Sequence, residues 1–153
     1  MLGITYPLNP LCMNRHRISA SSLHNFIGGE AKKVNGAPFT VVSKKTGKEY
    51  TFKISQIVFK GFPYLHFRVE SGYLNFSYLG YYRNGKVWSK KGAVNTPSAE
   101  AVGWLFRNLE SKNFSLLDAS IEVYHLGSCL RCGRTLTDSE SIRSGFGPVC
   151  VAL

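Results

Sequence analysis

Acidic residues are scarce in this sequence, and the scarcity is unevenly distributed. The chain has 9 Asp and Glu against 19 Lys and Arg, which gives a formal net charge of +10. Residues 1–91 contain 14 basic and 3 acidic residues, whereas residues 92–153 contain 5 and 6, so the positive excess lies in the first part of the chain. This charge favours a polyanionic partner, usually nucleic acid, and the alternative is an ordinary solvated surface.

Long apolar runs are also missing. No run approaches about 18 residues, the length that a membrane-spanning helix needs. The first ten residues contain two prolines and no basic stretch ahead of an apolar one, so they lack the pattern of a secretory signal. Because the few cysteines are expected to be thiols, these absences predict a cytoplasmic protein that does not act at a membrane.

A recognisable catalytic arrangement is the third absence. The acidic residues are dispersed, His16, His24 and His66 are scattered, and no glycine-rich phosphate-binding loop follows a predicted strand. General acid–base or nucleophilic catalysis requires such groups to be paired. The sequence therefore predicts a protein that is not an enzyme and has no small-molecule substrate.

What the sequence does contain is a group of potential metal ligands near its C-terminal end. The spacing is His-x3-Cys-x2-Cys-x17-Cys, and the residues are His125, Cys129, Cys132 and Cys150. Zinc prefers thiolate and imidazole ligands, and four of them close a tetrahedral site with no position left for water. The spacing therefore predicts one structural Zn²⁺.

Alternatives to this metal site are a disulfide, a redox pair and a different fourth ligand. Three cysteines in the tail would leave one unpaired if two of them formed a disulfide. No thioredoxin-like βαβ pattern surrounds the Cys-x2-Cys pair, which disfavours a redox role. Cys12 competes with His125 as the fourth zinc ligand, and the sequence leaves this choice open.

The hydrophobic pattern predicts an α+β fold, an antiparallel sheet with one packed helix and a C-terminal treble-clef-like zinc finger. Strand patterns with turn signals at 44–48 and 83–86 predict five or six strands, and Thr96 and Pro97 begin an amphipathic helix. A short helix is expected at 19–27, ended by Gly28-Gly29. The predicted organisation is an irregular leader at 1–18, a basic α+β domain at 19–118 and a zinc-finger module packed on it at 119–153.

Basic residues at turn tips and beside the finger are candidate contacts to nucleic acid or to a protein partner, since lysines and arginines in loops can reach phosphates. They are Lys44, Lys45, Lys48, Arg83, Lys86, Lys90, Lys91, Arg131 and Arg134. Nearby aromatic residues would stack on unpaired bases if they lie on an exposed sheet face, and alternate members would otherwise face the core. These aromatics are Tyr78, Tyr81, Tyr82 and Trp88.

The tail also carries a family resemblance. The segment CLRCGRTLTDSESIRSGFGPVC at 129–150 resembles uncharacterised zinc-finger proteins found mostly in tailed bacteriophages and their bacterial hosts, as do the stretches at 39–54 and 97–108. The resemblance implies the four zinc ligands named above and a phage protein in the cytoplasm of the infected host. The expected function is a non-catalytic accessory protein that binds nucleic acid or a nucleoprotein complex. The alternative is an inhibitor that docks on a host protein complex, as anti-CRISPR or polymerase-binding proteins do.

Overall fold

A computed structural model describes residues 15–27, 34–73, 75–148 and 150, so Cys12, Gly28 and Gly29 lie outside the described residues. Within these ranges the chain forms an antiparallel sheet with helices, which confirms the predicted α+β class. The strands are β1 (His16–Ile18), β2 (Val34–Asn35), β3 (Phe39–Ser43), β4 (Glu49–Phe59), β5 (Phe62–Gly72), β6 (Asn75–Arg83), β7 (Lys86–Ser89), β8 (Gly92–Ala93) and β9 (Ile121–His125). The helices are a 3-10 helix (Ala20–Phe26), α1 (Pro97–Glu110), α2 (Phe114–Ser120) and α3 (Ser139–Ser144).

The strand order is β1-β9-β3-β4-β5-β6-β7-β8, and β2 pairs with β4 beside this path. The long hairpin of β4 and β5 forms the centre because alternating residues of both strands are apolar and buried, among them Phe52, Ile54 and Phe67. Segments that the sequence separates at 50–54 and 57–59 are one continuous strand. The hairpin turn at Asn84-Gly85 is confirmed, and both residues have the positive φ that its tight geometry requires.

In the described part of the chain, the helices pack on the face of the sheet that carries Phe39 and Phe67. Helix α1 begins where predicted, because the Thr96 side chain accepts a hydrogen bond from the Ala99 amide and Pro97 occupies the first turn. Its apolar stripe packs on β6 and β7. Phe106 lies in this stripe and contacts Phe26 and Phe67. None of the helices in the described part of the chain is long and apolar enough to cross a membrane.

Three features differ from the predicted organisation. His16–Ile18 is a strand within the expected irregular leader, because its three residues pair with β9. The sequence of so short a segment does not predict this long-range pairing. β9 itself lies between β1 and β3, so a boundary at 118/119 assigns a strand of the main sheet to the finger. Helix α2 was not predicted. A helix of seven residues is not stable by itself, and this one is stabilised by the fully buried Leu117 and by its packing against the 3-10 helix.

The tail joins the same hydrophobic core as the sheet. Leu130 and Phe146 are fully buried, and the ring of Phe146 packs edge-on against Phe26 at 5.1 Å between centroids. At the junction, a Cβ on Gly36 would lie 1.5 Å from the carbonyl oxygen of Leu130. Only glycine permits this approach of the two backbones, which seats the finger against the start of β3.

Candidate functional site

The Cys-x2-Cys segment forms a tight hairpin that brings its two sulfurs close together. The Cys129 amide donates to the Arg134 carbonyl at 2.7 Å, and the Gly133 amide donates to the Cys129 carbonyl at 2.8 Å. Gly133 has φ 81°, as expected for the residue after the second cysteine of such a turn. The local sequence therefore brings Cys129 and Cys132 to one side of the turn.

Helix α3 and the turn after it return the third cysteine to the same place. The Asp138 carboxylate accepts from the Ser141 amide and begins the helix, and Gly145 ends it in the left-handed conformation. This helix therefore lies between the second and the third cysteine. The chain then turns back, and the Cys150 amide donates to the Gly147 carbonyl at 2.9 Å.

The three sulfurs of Cys129, Cys132 and Cys150 lie within 4.8 Å of one another. Thiolates bound at about 2.3 Å to a tetrahedral zinc are about 3.8 Å apart, so sulfurs this close together suit a metal ion. Cys129 is buried, Cys150 is half-buried and Cys132 is exposed. The Gly147 amide donates to the Cys129 sulfur at 3.3 Å. Hydrogen bonds of this kind orient the ligands of a metal ion.

The thiols influence one another's ionisation. Burial raises the pKa of Cys129, but hydrogen bonds from the backbone amides of Gly147, Cys132 and Arg131 outweigh it, and the net direction is downward. Burial and the charge on Cys129 raise the pKa of Cys150 to about 12. Three thiolates this close repel one another, so full ionisation requires a cation among them. The donor set and its electrostatics fit a soft divalent metal.

His125 does not join this group, contrary to the predicted fourth ligand. Its ring is fully buried; Nδ1 accepts from the Gly127 amide at 2.9 Å, and Nε2 donates to the Ile142 carbonyl at 2.6 Å. Both nitrogens are therefore engaged, and neither has a lone pair free for a metal. Burial lowers the pKa of His125, and the adjacent His16 ring acts in the same direction against the opposing effect of the Ile142 bond, so the neutral ring is favoured. His125 instead joins β9 to helix α3.

Three ligands leave the fourth position of a tetrahedral metal unassigned. Cys129, Cys132 and Cys150 form the candidate metal group found among the described residues, and Cys12, the alternative ligand, lies outside them. Three ligands do not fill a tetrahedral site, so the ligand set by itself does not exclude a position for water on the metal. The absence of enzymatic activity stays a prediction.

Of the two arginines expected to be exposed beside the finger, only one is. Arg134 is exposed, but Arg131 is 4% exposed and donates from Nη1 to the Asn25 carbonyl at 2.9 Å. The guanidinium fastens the hairpin to the 3-10 helix, so Arg131 is removed from the predicted contact set. A buried arginine was not foreseen because the residue that accepts its hydrogen bond is distant in sequence.

The face of the sheet opposite the helices, here called the outer face, carries cations in two cross-strand rows. Phe67 is buried on the helix side, so its neighbours His66 and Arg68 point outward. In one row Lys53 pairs with Arg68, and in the other Arg83 pairs with Lys86. Within β5, β6 and β7, among described residues, the single acidic residue is Glu70. The outer face of these strands is therefore cationic.

Aromatic residues lie between the two cationic rows. His66 pairs with Tyr81, and Tyr81 pairs with Trp88, so three neighbouring strands contribute one ring each. Tyr64 meets Tyr81 at 5.6 Å between ring centroids, and Tyr78 meets His66 at 5.9 Å. We call His66, Tyr81 and Trp88 the aromatic row; Tyr64 and Tyr78 flank it, and Tyr78 is the cross-strand partner of Arg68.

Tyr82 was grouped with these aromatics from the sequence but faces the core, as the alternation of a strand allows. Its ring packs against Phe106 at 5.8 Å, and its hydroxyl donates to the Glu110 carboxylate. Burial and the bond to Glu110 raise the pKa of Tyr82. Its role is therefore structural.

The remaining candidate cations lie at turns of the same sheet. Lys45 and Lys48 are exposed in the β3–β4 turn, as are Lys90 and Lys91 between β7 and β8. Lys44 is exposed as well, but its ammonium donates to the Asp118 carbonyl at 2.6 Å. The structure thus leaves these lysines at the surface without bringing them into one cluster.

Sequence reasoning missed four residues of the outer face: Lys53 on β4, and Tyr64, His66 and Arg68 on β5. The signal was available on β5, because Tyr64, His66 and Arg68 alternate with the apolar residues Leu65, Phe67 and Val69 along a single strand. What the alternation did not reveal was which neighbouring residues lie opposite. That information depends on the register with β4 and β6.

Comparison with known proteins assigns no activity. Residues 122–153 match the model of DUF6011, a family of unknown function. The match covers the candidate metal centre and well under half of the chain, and it names neither a metal nor a source. No curated protein matches the sequence. No solved structure matches it either.

Proposed function

We propose that this protein is a non-catalytic accessory protein that binds nucleic acid through the outer face of its sheet and holds its tail together with one structural zinc ion. The observation that carries the proposal is the outer face itself, where Lys53, Arg68, Arg83 and Lys86 bracket the aromatic row. Cations that neutralise phosphates release counterions, and this release drives binding. The phage setting and the host cytoplasm implied by the family resemblance belong to the same proposal.

Zinc is proposed because three thiolates form a soft donor set. Cys129, Cys132 and Cys150 would hold the ion, which would supply folding free energy to a tail with little core of its own. Metal analysis of protein purified under reducing conditions should find about one zinc per chain. Protein that is folded and free of metal under these conditions would contradict this part of the proposal.

Binding should be measured as a function of salt with matched cation variants. A labelled oligonucleotide should bind at about 50 mM salt and weaken steeply towards 200 mM. Lys86→Gln should lower the slope of log K against log salt by about 0.7–0.9, the contribution of one phosphate contact. Arg143→Gln is the control, because this exposed arginine lies on helix α3, away from the outer face, in an ion pair with Glu140.

Two results would oppose nucleic-acid binding. Absence of binding at low salt would contradict the proposal. Equal slopes of log K against log salt for Lys86→Gln and Arg143→Gln would show that the outer face is not the binding site. Docking on a host protein is then the alternative, since a cationic face also fits an acidic protein surface. A host protein that stays bound to the immobilised protein after nuclease treatment would favour that alternative.

A further inference from the structure

We infer that the aromatic row stacks on unpaired bases, so that the ligand is single-stranded rather than double-stranded nucleic acid. This inference rests on the proposed function and specifies its ligand. In a duplex the faces of the bases are covered by their neighbours, whereas single strands expose faces on which aromatic side chains can stack. Cations alone would not distinguish the two forms, because both present phosphates.

The rings are arranged for stacking in two ways. First, His66, Tyr81 and Trp88 lie directly across from one another on adjacent strands, which in a sheet are about 4.8 Å apart. Second, their polar atoms are held: the Trp88 indole donates to the Arg83 carbonyl at 2.8 Å, and His66 Nδ1 is hydrogen-bonded to the Tyr78 hydroxyl at 2.9 Å. Rings fixed in this way lose little further freedom on binding.

Access and charge both favour the same ligand. The helices pack on the opposite side of the sheet; Tyr78 beside the row is 51% exposed, and the three rings of the row are half-buried and partly reachable from solvent. Burial and the charge of Arg68 lower the pKa of His66, so its ring is neutral at physiological pH. The cationic rows lie two residues from the aromatic row along the strands, about 6.7 Å away, where they can reach the backbone of a strand whose bases lie on the rings. An apolar protein surface would make no favourable contact with the flanking cations, whereas a nucleic-acid strand can pair its phosphates with the cations and stack its bases on the aromatic row.

The test compares oligothymidine of about 12 nucleotides with a duplex of equal phosphate number at the same salt, by fluorescence anisotropy. The full-length protein should bind the single strand more tightly. Tyr81→Ala should weaken single-strand binding about 5- to 150-fold and leave duplex binding unchanged, and Tyr81→Phe should restore it because the ring is kept. Tyr73→Ala is the matched control, since Tyr73 is 55% exposed but lies at the β5–β6 turn outside the row. Oligouridine measured in parallel separates RNA from DNA.

The outcomes separate the inference from the proposed function. Salt-dependent binding with equal affinity for both forms and no effect of Tyr81→Ala would overturn base stacking and leave the proposed function intact. No binding of either form would overturn both. If Tyr81→Ala does not fold, photo-crosslinking of the unmodified protein to bromouracil-containing strands decides. Crosslinks mapped to His66, Tyr81 or Trp88, or to the flanking Tyr64 and Tyr78, support the inference, and crosslinks confined to other residues, Tyr73 included, overturn it.

Discussion

Replacing His125 with alanine separates the two roles that sequence and structure give to this residue. As a ligand, His125 would be needed for metal binding; as a hydrogen-bonded link between β9 and helix α3, it is needed for stability alone. The substitution removes the ring as a hydrogen-bond partner of the Gly127 amide and the Ile142 carbonyl, which are both partly buried. Each unsatisfied group costs about 1–3 kcal/mol, so the free energy of unfolding should fall by about 2–6 kcal/mol. At about 2–4 °C per kcal/mol for a chain of this size, the melting temperature should fall by at least about 4 °C.

The assay pairs metal content with thermal unfolding, and Cys132→Ser is the comparison. Cys132 is exposed, so its replacement removes a ligand with little change in packing. We expect His125→Ala to retain the zinc of the unmodified protein at a lower melting temperature, whereas Cys132→Ser loses the zinc. Should folded His125→Ala lose its zinc as completely as Cys132→Ser does, His125 is a ligand and the role derived from its hydrogen bonds is wrong.

Three further predictions follow from the packing. Gly36→Ala should lower the free energy of unfolding by about 3 kcal/mol in urea titrations, because its Cβ would overlap the Leu130 carbonyl; an unchanged midpoint would refute this close approach. Burial and the bond to Glu110 raise the pKa of Tyr82, so its neutral hydroxyl stabilises the fold below the ordinary pKa of about 10, and this contribution is lost as pH rises through the folded pKa. Stability measured from pH 8 to 11 should therefore fall less steeply in Tyr82→Phe than in the unmodified protein, and parallel curves would contradict the raised pKa. Structural zinc is almost always four-coordinate, and Cys12 is the alternative to His125 as the fourth ligand. Cys12→Ser should therefore weaken zinc binding more than His125→Ala does in a chelator competition, and the reverse order would identify His125 as the ligand.

Local patterns were sufficient for much of the fold. Thr96 and Pro97 begin helix α1 through interactions with their own neighbours, and the Asn84-Gly85 turn depends on two backbone conformations. The ligand character of Cys129 and Cys132 follows from a spacing that one tight turn enforces. Long-range pairing was beyond such patterns: a three-residue strand such as His16–Ile18 has no period to detect and exists because β9 offers it an edge.

The amino-acid sequence by itself determined that this is a basic α+β protein whose tail presents a soft ligand set, because charge, alternation and ligand spacing are local properties. The tertiary structure decided which residues meet. In the structure both nitrogens of His125 are hydrogen-bonded outside the cysteine group, and Arg131 is buried. The tertiary structure also fixed the register that aligns His66, Tyr81 and Trp88 across three strands. Register depends on contacts between segments far apart in the chain, and for that reason no single segment could reveal it.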